Sequence, residues 1–309
     1  MEEAPATNKR LSRVVLGTAQ LGMEYGIANR VGRPDIKTAE AIIREAWQGG
    51  IREFDTAQAY GESEKVLGKC LRTLGLSGEA RVISKLPPNL GGSDEKNIER
   101  AVERSLTRLG VDSLFGLLVH KESYLDQFHK GLEETLSKII EKGLVRNIGI
   151  SIYSPERALE ALKKQVISIV QIPTNLLDRR FEAAGVFREA GQCNKQIYVR
   201  SIFLQGLLLM APDEVPPGMR FAAPILERAG RLAKRSGLTR EQLALGYVRQ
   251  AHPEAKVIFG AETLEQVQEN LKSWEMVLPD GISSQVQKDF GNVEDKILNP
   301  AAWPLHGKR

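Results

Sequence analysis

The stretch Phe54-Asp55-Thr56-Ala57-Gln58-Ala59-Tyr60-Gly61-Glu62-Ser63-Glu64 starts where an apolar run ends and finishes by opening a helix. It sets a carboxylate at Asp55 and a phenol at Tyr60, with a glycine turn directly behind the phenol. Two residues elsewhere hold the same kind of position. Lys85 closes the run Val82-Ile83-Ser84, and His120 closes Leu114-Phe115-Gly116-Leu117-Leu118-Val119. Three strand-like segments therefore each end in a side chain that can carry a proton.

The same alternation continues along the chain. Short apolar, β-branched runs at 13–16, 51–55, 81–85, 114–119, 144–150, 167–172, 196–201 and 256–259 predict eight strands. Segments with helical spacing follow them. The spacing predicts helices over 36–48, from Tyr60 to about Arg72, and along the stripe Ile98 to Leu109 with Ser93 or Asp94 as cap. Further helices are predicted through Leu132 to Ile140, after Ser154-Pro155, and over 183–192, 223–236, 239–251 and 264–271. The last opens at Thr263, with Gln266 placed for a capping box. The longest irregular stretch is 202–221, broken by Pro212, Pro216 and Pro217. Strand–helix alternation implies a parallel sheet, and eight units in roughly 250 residues imply one closed (β/α)8 TIM barrel. A doubly wound sheet would need a G-x-G-x-x-G turn after the first strand, and Gly17-Thr18-Ala19-Gln20-Leu21-Gly22 does not fit it. The expected organisation is a single domain over 1–309, with the barrel at about 13–275. A tail at 276–309 would carry an outer helix over 283–297.

Composition narrows the classes. With 42% hydrophobic and 27% charged residues, the 309-residue chain is that of a soluble globular protein. A net charge of +4, spread without a basic block, argues against nucleic acid as partner and suits an anionic small molecule. Cys70 and Cys193 are far apart, which fits a reducing compartment. The opening is polar, and no apolar run nears the ~20 residues of a membrane span. A cytoplasmic protein without membrane association is expected.

In a barrel, active sites gather at the carboxyl ends of the strands, so Asp55, Tyr60, Lys85 and His120 would converge on one rim. Taken singly, each has an ordinary role: rim packing, a solvated lysine, a backbone-bonded histidine, a cap. Together they can hand a proton to an oxygen that gains negative charge. A phenol titrates near ~10 and a neighbouring ammonium lowers that value. Asp55 would hold Lys85 charged, and His120 would position a carbonyl oxygen. The hydride must come from a cofactor, since no side chain supplies one.

Asp55-Thr56-Ala57, Tyr60-Gly61, Ser63-Glu64 and Leu67-Gly68 resemble the signature of the aldo-keto reductase superfamily. Ser105-Leu106, Arg108 to Asp112 and Leu117 to His120 are similar to its second signature region. Further similar blocks lie at 143–151, 171–177 and 205–208, and at Gly260-Ala261 with Glu269-Asn270. The resemblance implies a barrel that reduces an aldehyde or ketone with NADPH, or with NADH as the alternative, using Asp55, Tyr60, Lys85 and His120. It implies cofactor contacts from Ser151 and Gln171 at the nicotinamide and Gly17 and Thr18 beneath it. Ser201, Gln205 and Gly206 would lie at the pyrophosphate, with Gly260, Gln266 and Asn270 at the adenosine. Three departures stand out. Ile152 replaces a frequent Asn, and Arg200 occupies the place of an aromatic that stacks on the nicotinamide. Gly260 and Gln266 stand where NADPH-selective members carry Lys and Arg. The block from Gly17 to Asn29 resembles a bacterial branch found among sugar-handling genes, which implies a sugar-like carbonyl. Tyr25, Tyr153 and Phe203 are candidate pocket walls. No metal site is expected. Two alternatives remain open: a cofactor-loaded regulatory subunit with little turnover, and a metal-dependent barrel hydrolase. The four histidines, His120, His129, His252 and His306, are scattered and give the latter no cluster.

Overall fold

The computed structural model describes residues 13–89 and 95–304. Eight parallel strands close into a barrel: β1 Val14–Gly17, β2 Glu53–Asp55, β3 Arg81–Lys85, β4 Leu114–Val119, β5 Val145–Ser151, β6 Ile167–Pro173, β7 Gln196–Arg200 and β8 Lys256–Gly260. Each strand pairs with its successor, and β8 returns to β1 with Val14 opposite Val257 and Gly17 opposite Gly260. The predicted β3 and β4 are met at both ends, and the other six differ by one or two residues. The candidate caps Ser93 and Asp94 lie outside the described residues.

Two apolar layers follow from the pleat. Side chains on one face of the strands pack against the helices, joining Leu16, Phe54, Val82, Leu117, Ile150 and Val170 to the helical stripes. Those on the other face fill the barrel: Val15, Ile83, Leu118, Ile169, Tyr198 and Ile258. The barrel floor also holds a buried carboxylate, Glu53. It accepts hydrogen bonds from the Tyr198 hydroxyl at 2.7 Å and from Lys256 Nζ at 2.8 Å. A buried carboxylate needs such partners to offset its desolvation.

Three helical expectations are corrected. The helix over 183–192 is two, Arg180–Ala183 and Val186–Gln192, because Gly185 turns left-handed at φ 76 between them. The outer helix over 283–297 is also two, Ile282–Asp289 and Asp295–Leu298, both facing the core through Ile282, Val286, Ile297 and Leu298. The helix Leu264–Glu275 is capped by Thr263, which accepts from Gln266 N, but the Gln266 side chain does not return to Thr263. Its Oε1 instead accepts from the Glu262 N–H at 2.7 Å.

The signature motifs sit together because they pack on one another. Glu64 is buried and accepts from Ser84 Oγ at 2.7 Å and pairs with Arg108 at 3.2 Å. Gln58 donates to Ser105 Oγ at 2.8 Å. Ser63 binds Thr18 and Thr56 at 2.8 and 2.9 Å, tying the turn after β2 to the turn after β1. The two turns touch through backbone alone at Gly22, where a Cβ would lie 1.9 Å from Tyr60 O and 2.3 Å from Ser63 N. The backbone of Tyr60 is thus seated on Gly22. Gly22→Ala is expected to displace that seat and destabilise the protein by about 1–3 kcal/mol, the usual cost of overpacking. Urea unfolding of the variant checks this, and an unchanged midpoint would show that the contact relaxes freely.

Candidate active site

Every strand offers one sequence-predicted residue at or near its carboxyl end. In order around the ring these are Gly17, Asp55, Lys85, His120, Ser151, Gln171, Arg200 and Gly260. Ser151 and Gln171 are direct register partners, as are Gly17 and Asp55.

The centre of the rim is an ion pair. Lys85 Nζ donates to both oxygens of Asp55, at 2.8 and 2.7 Å, and to Thr56 O at 3.0 Å. The lysine is 1% exposed and Asp55 4%. Gln171 Nε2 adds a 2.7 Å bond to Asp55 Oδ1. An ammonium has three N–H bonds, and here all three are occupied. Lys85 therefore has no donor left for a phenol. Its Nζ instead lies 4.9 Å from the centre of the Tyr60 ring. Burial lowers the pKa of Lys85, and Asp55 opposes that shift.

Tyr60 differs from its sequence-based expectation in its electrostatics. Its pKa is raised strongly, first by burial and then by the charge of Asp55, with Arg200 as the cation that pulls it down. Lys85, already neutralised by Asp55, does not set the sign. The phenol is therefore firmly protonated. Tyr60 meets His120 edge to face, ring centres 6.0 Å apart and planes at 86°. Burial, followed by the charges of Lys85 and Arg200, lowers the His120 pKa from 6.5 to about 4. The imidazole is neutral at physiological pH, so only one of its nitrogens donates.

Arg200 stacks on Tyr153 with its guanidinium carbon 4.2 Å from the ring centre, and it donates to Ser201 Oγ at 3.2 Å. Tyr153 itself is exposed and flanks the rim from outside. Three buried polar atoms at these strand ends have no partner: His120 Nδ1, Gln171 Oε1 and Arg200 Nη2. Buried polar groups are ordinarily bonded, so these three suit a ligand that brings donors and acceptors.

A cleft of about 270 Å³ opens beside Tyr60 and runs to the turn after β8. Gly17, Thr18, Asp55, Arg200, Ser201, Gln205, Gly206, Gly260, Gln266 and Asn270 all line it, as do Tyr25 and Phe203. Ser151, Gln171, Lys85 and His120 stand outside the lining, with Gln171 and Lys85 joined to it through Asp55. Burial pushes the Tyr25 phenol up to about 12. The segment after β7 is strained: Ser201, Leu204 and Gln205 adopt φ of 60, 48 and 55. Non-glycine residues persist there only when their surroundings enforce it, commonly at ligand sites. Gln205 O is held by Ile27 N at 2.9 Å, and Ser201 O by Asn175 Nδ2 at 3.1 Å. Sequence reasoning missed Gln20, Glu241 and Glu262, which also line the cleft, and left Glu269 without a role. Glu262 had one signal, its place directly behind Gly260-Ala261. Among the described residues, no group of three or more His, Cys, Asp or Glu is placed to hold a metal ion. No helix among them is long and apolar enough to cross a membrane.

The structure is thus a closed α/β barrel with a buried Lys–Asp pair beside a tyrosine and a cleft leading away from it. The family model of the aldo/keto reductase family matches residues 13–288. The chain belongs to that family and is an NAD(P)H-dependent oxidoreductase. It is 28% identical to a putative voltage-gated potassium channel subunit beta of Schizosaccharomyces pombe, covering 86% of this chain and 85% of that one. It is 27% identical to an NADH-specific methylglyoxal reductase of Escherichia coli, covering 89% and 93%. The fold matches the holo form of an aldo-keto reductase from Bacillus halodurans with a TM-score of 0.75 at 24% identity, covering 93% and 95%. Solved neighbours of this fold carry NADP or NADPH.

Removing one member of a buried ion pair strands the other. Lys85→Met is expected to destabilise by about 3–5 kcal/mol, and Lys85→Met combined with Asp55→Asn to recover part of that loss in urea unfolding. Additive losses would mean the two charges are not coupled. A second expectation concerns pH. His120 and His252 both have pKa values lowered from 6.5 to about 4, each chiefly by burial. The unfolded chain then binds protons that the folded one refuses. Their contribution to stability is full above pH 6.5 and is lost as pH falls toward 4. Denaturant midpoints measured across that range should decline, and His120→Asn should flatten part of the slope.

Proposed function

We propose that this protein reduces an aldehyde or ketone to the alcohol, with Tyr60 as the general acid. The observation that carries this is the set of unpartnered buried atoms around Tyr60: His120 Nδ1, Gln171 Oε1 and Arg200 Nη2. Gln171 Oε1 and the buried Ser151 suit a carboxamide, which has an NH2 to donate and a carbonyl to accept. Gly17 and Thr18 would lie beneath the ring and Arg200 beside it. NADH or NADPH, when bound, supplies the hydride.

The residues of this chain then act as follows. His120, held neutral, offers its ring N–H to the substrate oxygen and fixes its orientation. Tyr60 keeps its proton until charge grows on that oxygen. An alkoxide is a stronger base than a phenolate, so a raised phenol pKa does not prevent the transfer. Arg200, whose charge favours the phenolate, takes up part of the developing negative charge. Asp55 keeps Lys85 charged and fixed, so little reorganisation accompanies the transfer. Gln171 anchors Asp55 from across the barrel mouth. A sugar-like substrate is the reading carried from the block Gly17 to Asn29, in which Tyr25, Gly26, Ala28 and Asn29, together with Gly17 to Gln20, line the cleft.

The likeness to a channel subunit beta favours a second reading, a cofactor-loaded regulatory protein with little turnover. Rapid mixing of the reduced-cofactor complex with a panel of aldehydes separates the two, since a regulatory protein would leave the cofactor reduced with every member. For the enzyme, Tyr60→Phe should bind cofactor normally and lose roughly 10²–10⁴-fold in kcat. Undiminished turnover in that variant would remove Tyr60 from the role of acid.

A further inference from the structure

We infer that the far end of the cleft selects the dinucleotide whose adenosine ribose carries free hydroxyls, NADH, over the 2′-phosphorylated form, and that Glu262 is the selecting residue. This rests on the function proposed above and concerns only which of the two cofactors is taken.

The charges along the cleft are unevenly placed. Arg200 is the one basic residue among those lining it, and it lies at the end of β7 beside Tyr60. Toward the turn after β8 the lining carries Glu241, Glu262 and Glu269, together with the neutral amides of Gln266 and Asn270. No ion pair neutralises any of the three carboxylates among the described residues. A phosphate monoester brings close to two negative charges at neutral pH, and here it would meet carboxylates without a cation to receive it.

Glu262 is built into this end. It sits between the end of β8 at Gly260 and the helix cap Thr263, with its N–H held by Gln266 Oε1 at 2.7 Å. Its carboxyl is half-buried, and that burial raises its pKa, with only the Gln266 amide opposing the shift. A half-buried carboxylate short of donors gains from a vicinal pair of ribose hydroxyls, which donate two hydrogen bonds.

The features that would otherwise receive a phosphate are weakened here. The start of the helix Leu264–Glu275 has its Gln266 N–H taken by Thr263 Oγ1 at 3.3 Å, and its first turn carries Glu265. That carboxylate compensates the positive end of the helix dipole. Position 260 carries no basic side chain either, and the Gln20 amide lies 2.3 Å from where a Cβ would stand.

Equilibrium titration of the purified protein tests this without turnover. Binding of NADH, NADPH, NAD+ and NADP+ would be followed by calorimetry, and the fragments 5′-AMP and 2′,5′-ADP would be compared at the same site. NADH should bind at least roughly tenfold more tightly than NADPH, with the fragments ranked alike. The gap should narrow as salt screens the repulsion. Glu262→Ser should narrow it further by strengthening NADPH binding. Equal or tighter binding of NADPH by the unaltered protein would overturn the inference and leave carbonyl reduction standing. Failure of both dinucleotides to bind would overturn the proposed function and the inference with it.

Discussion

The bonding of one ammonium governs this rim. Lys85 is buried with three donors, and Asp55 and Thr56 O accept all three. An unpaired charge at that depth would cost several kcal/mol, so the geometry around it tolerates little variation. Asp55 must end β2, Thr56 must turn its carbonyl inward, and Gln171 must reach across from β6. The consequence for Tyr60 is indirect. It faces a lysine whose protons are committed, so its electrostatics are set by burial, by Asp55 and by Arg200.

The barrel amplifies this constraint. Parallel strands with matched register bring eight carboxyl ends to one rim, each with a candidate site residue at or near it. The signature residues that do not face the cleft are equally constrained. Glu64, Ser84 and Arg108 join β3 to its two neighbouring helices, and Ser63 clamps two turns through hydroxyl contacts. A motif match of this kind reports packing as much as catalysis.

Much of the fold was legible in the chain because local and global preferences agree. Arg81–Lys85 and Leu114–Val119 were read to the residue, since charge or glycine bounds each β-branched or leucine-rich run. The errors have local causes. Gly185 interrupts a helix whose apolar spacing continues on either side, and Phe290 and Gly291 lie where the last helical pattern breaks. The four residues of the rim were legible through their spacing from strand ends. The orientation of Lys85 toward Thr56 O was not, because a backbone carbonyl leaves no mark in a sequence. Glu262 escaped for a related reason. A loop glutamate is usually solvated, and only the fold turns this one inward. Arg200 was placed correctly at the rim, but its stacking on Tyr153 depends on a residue two strands away.

The closure of the ring by β1 and β8 bears on how the protein is made. Val14 pairs with Val257 and Gly17 with Gly260, contacts separated by most of the chain. Until the ribosome has released β8, β1 and β7 each expose an unpaired edge, and such edges can template association with other chains. The nascent chain therefore passes through its most aggregation-sensitive stage late in synthesis, and the final strand converts an open sheet into a surface with no edge to extend.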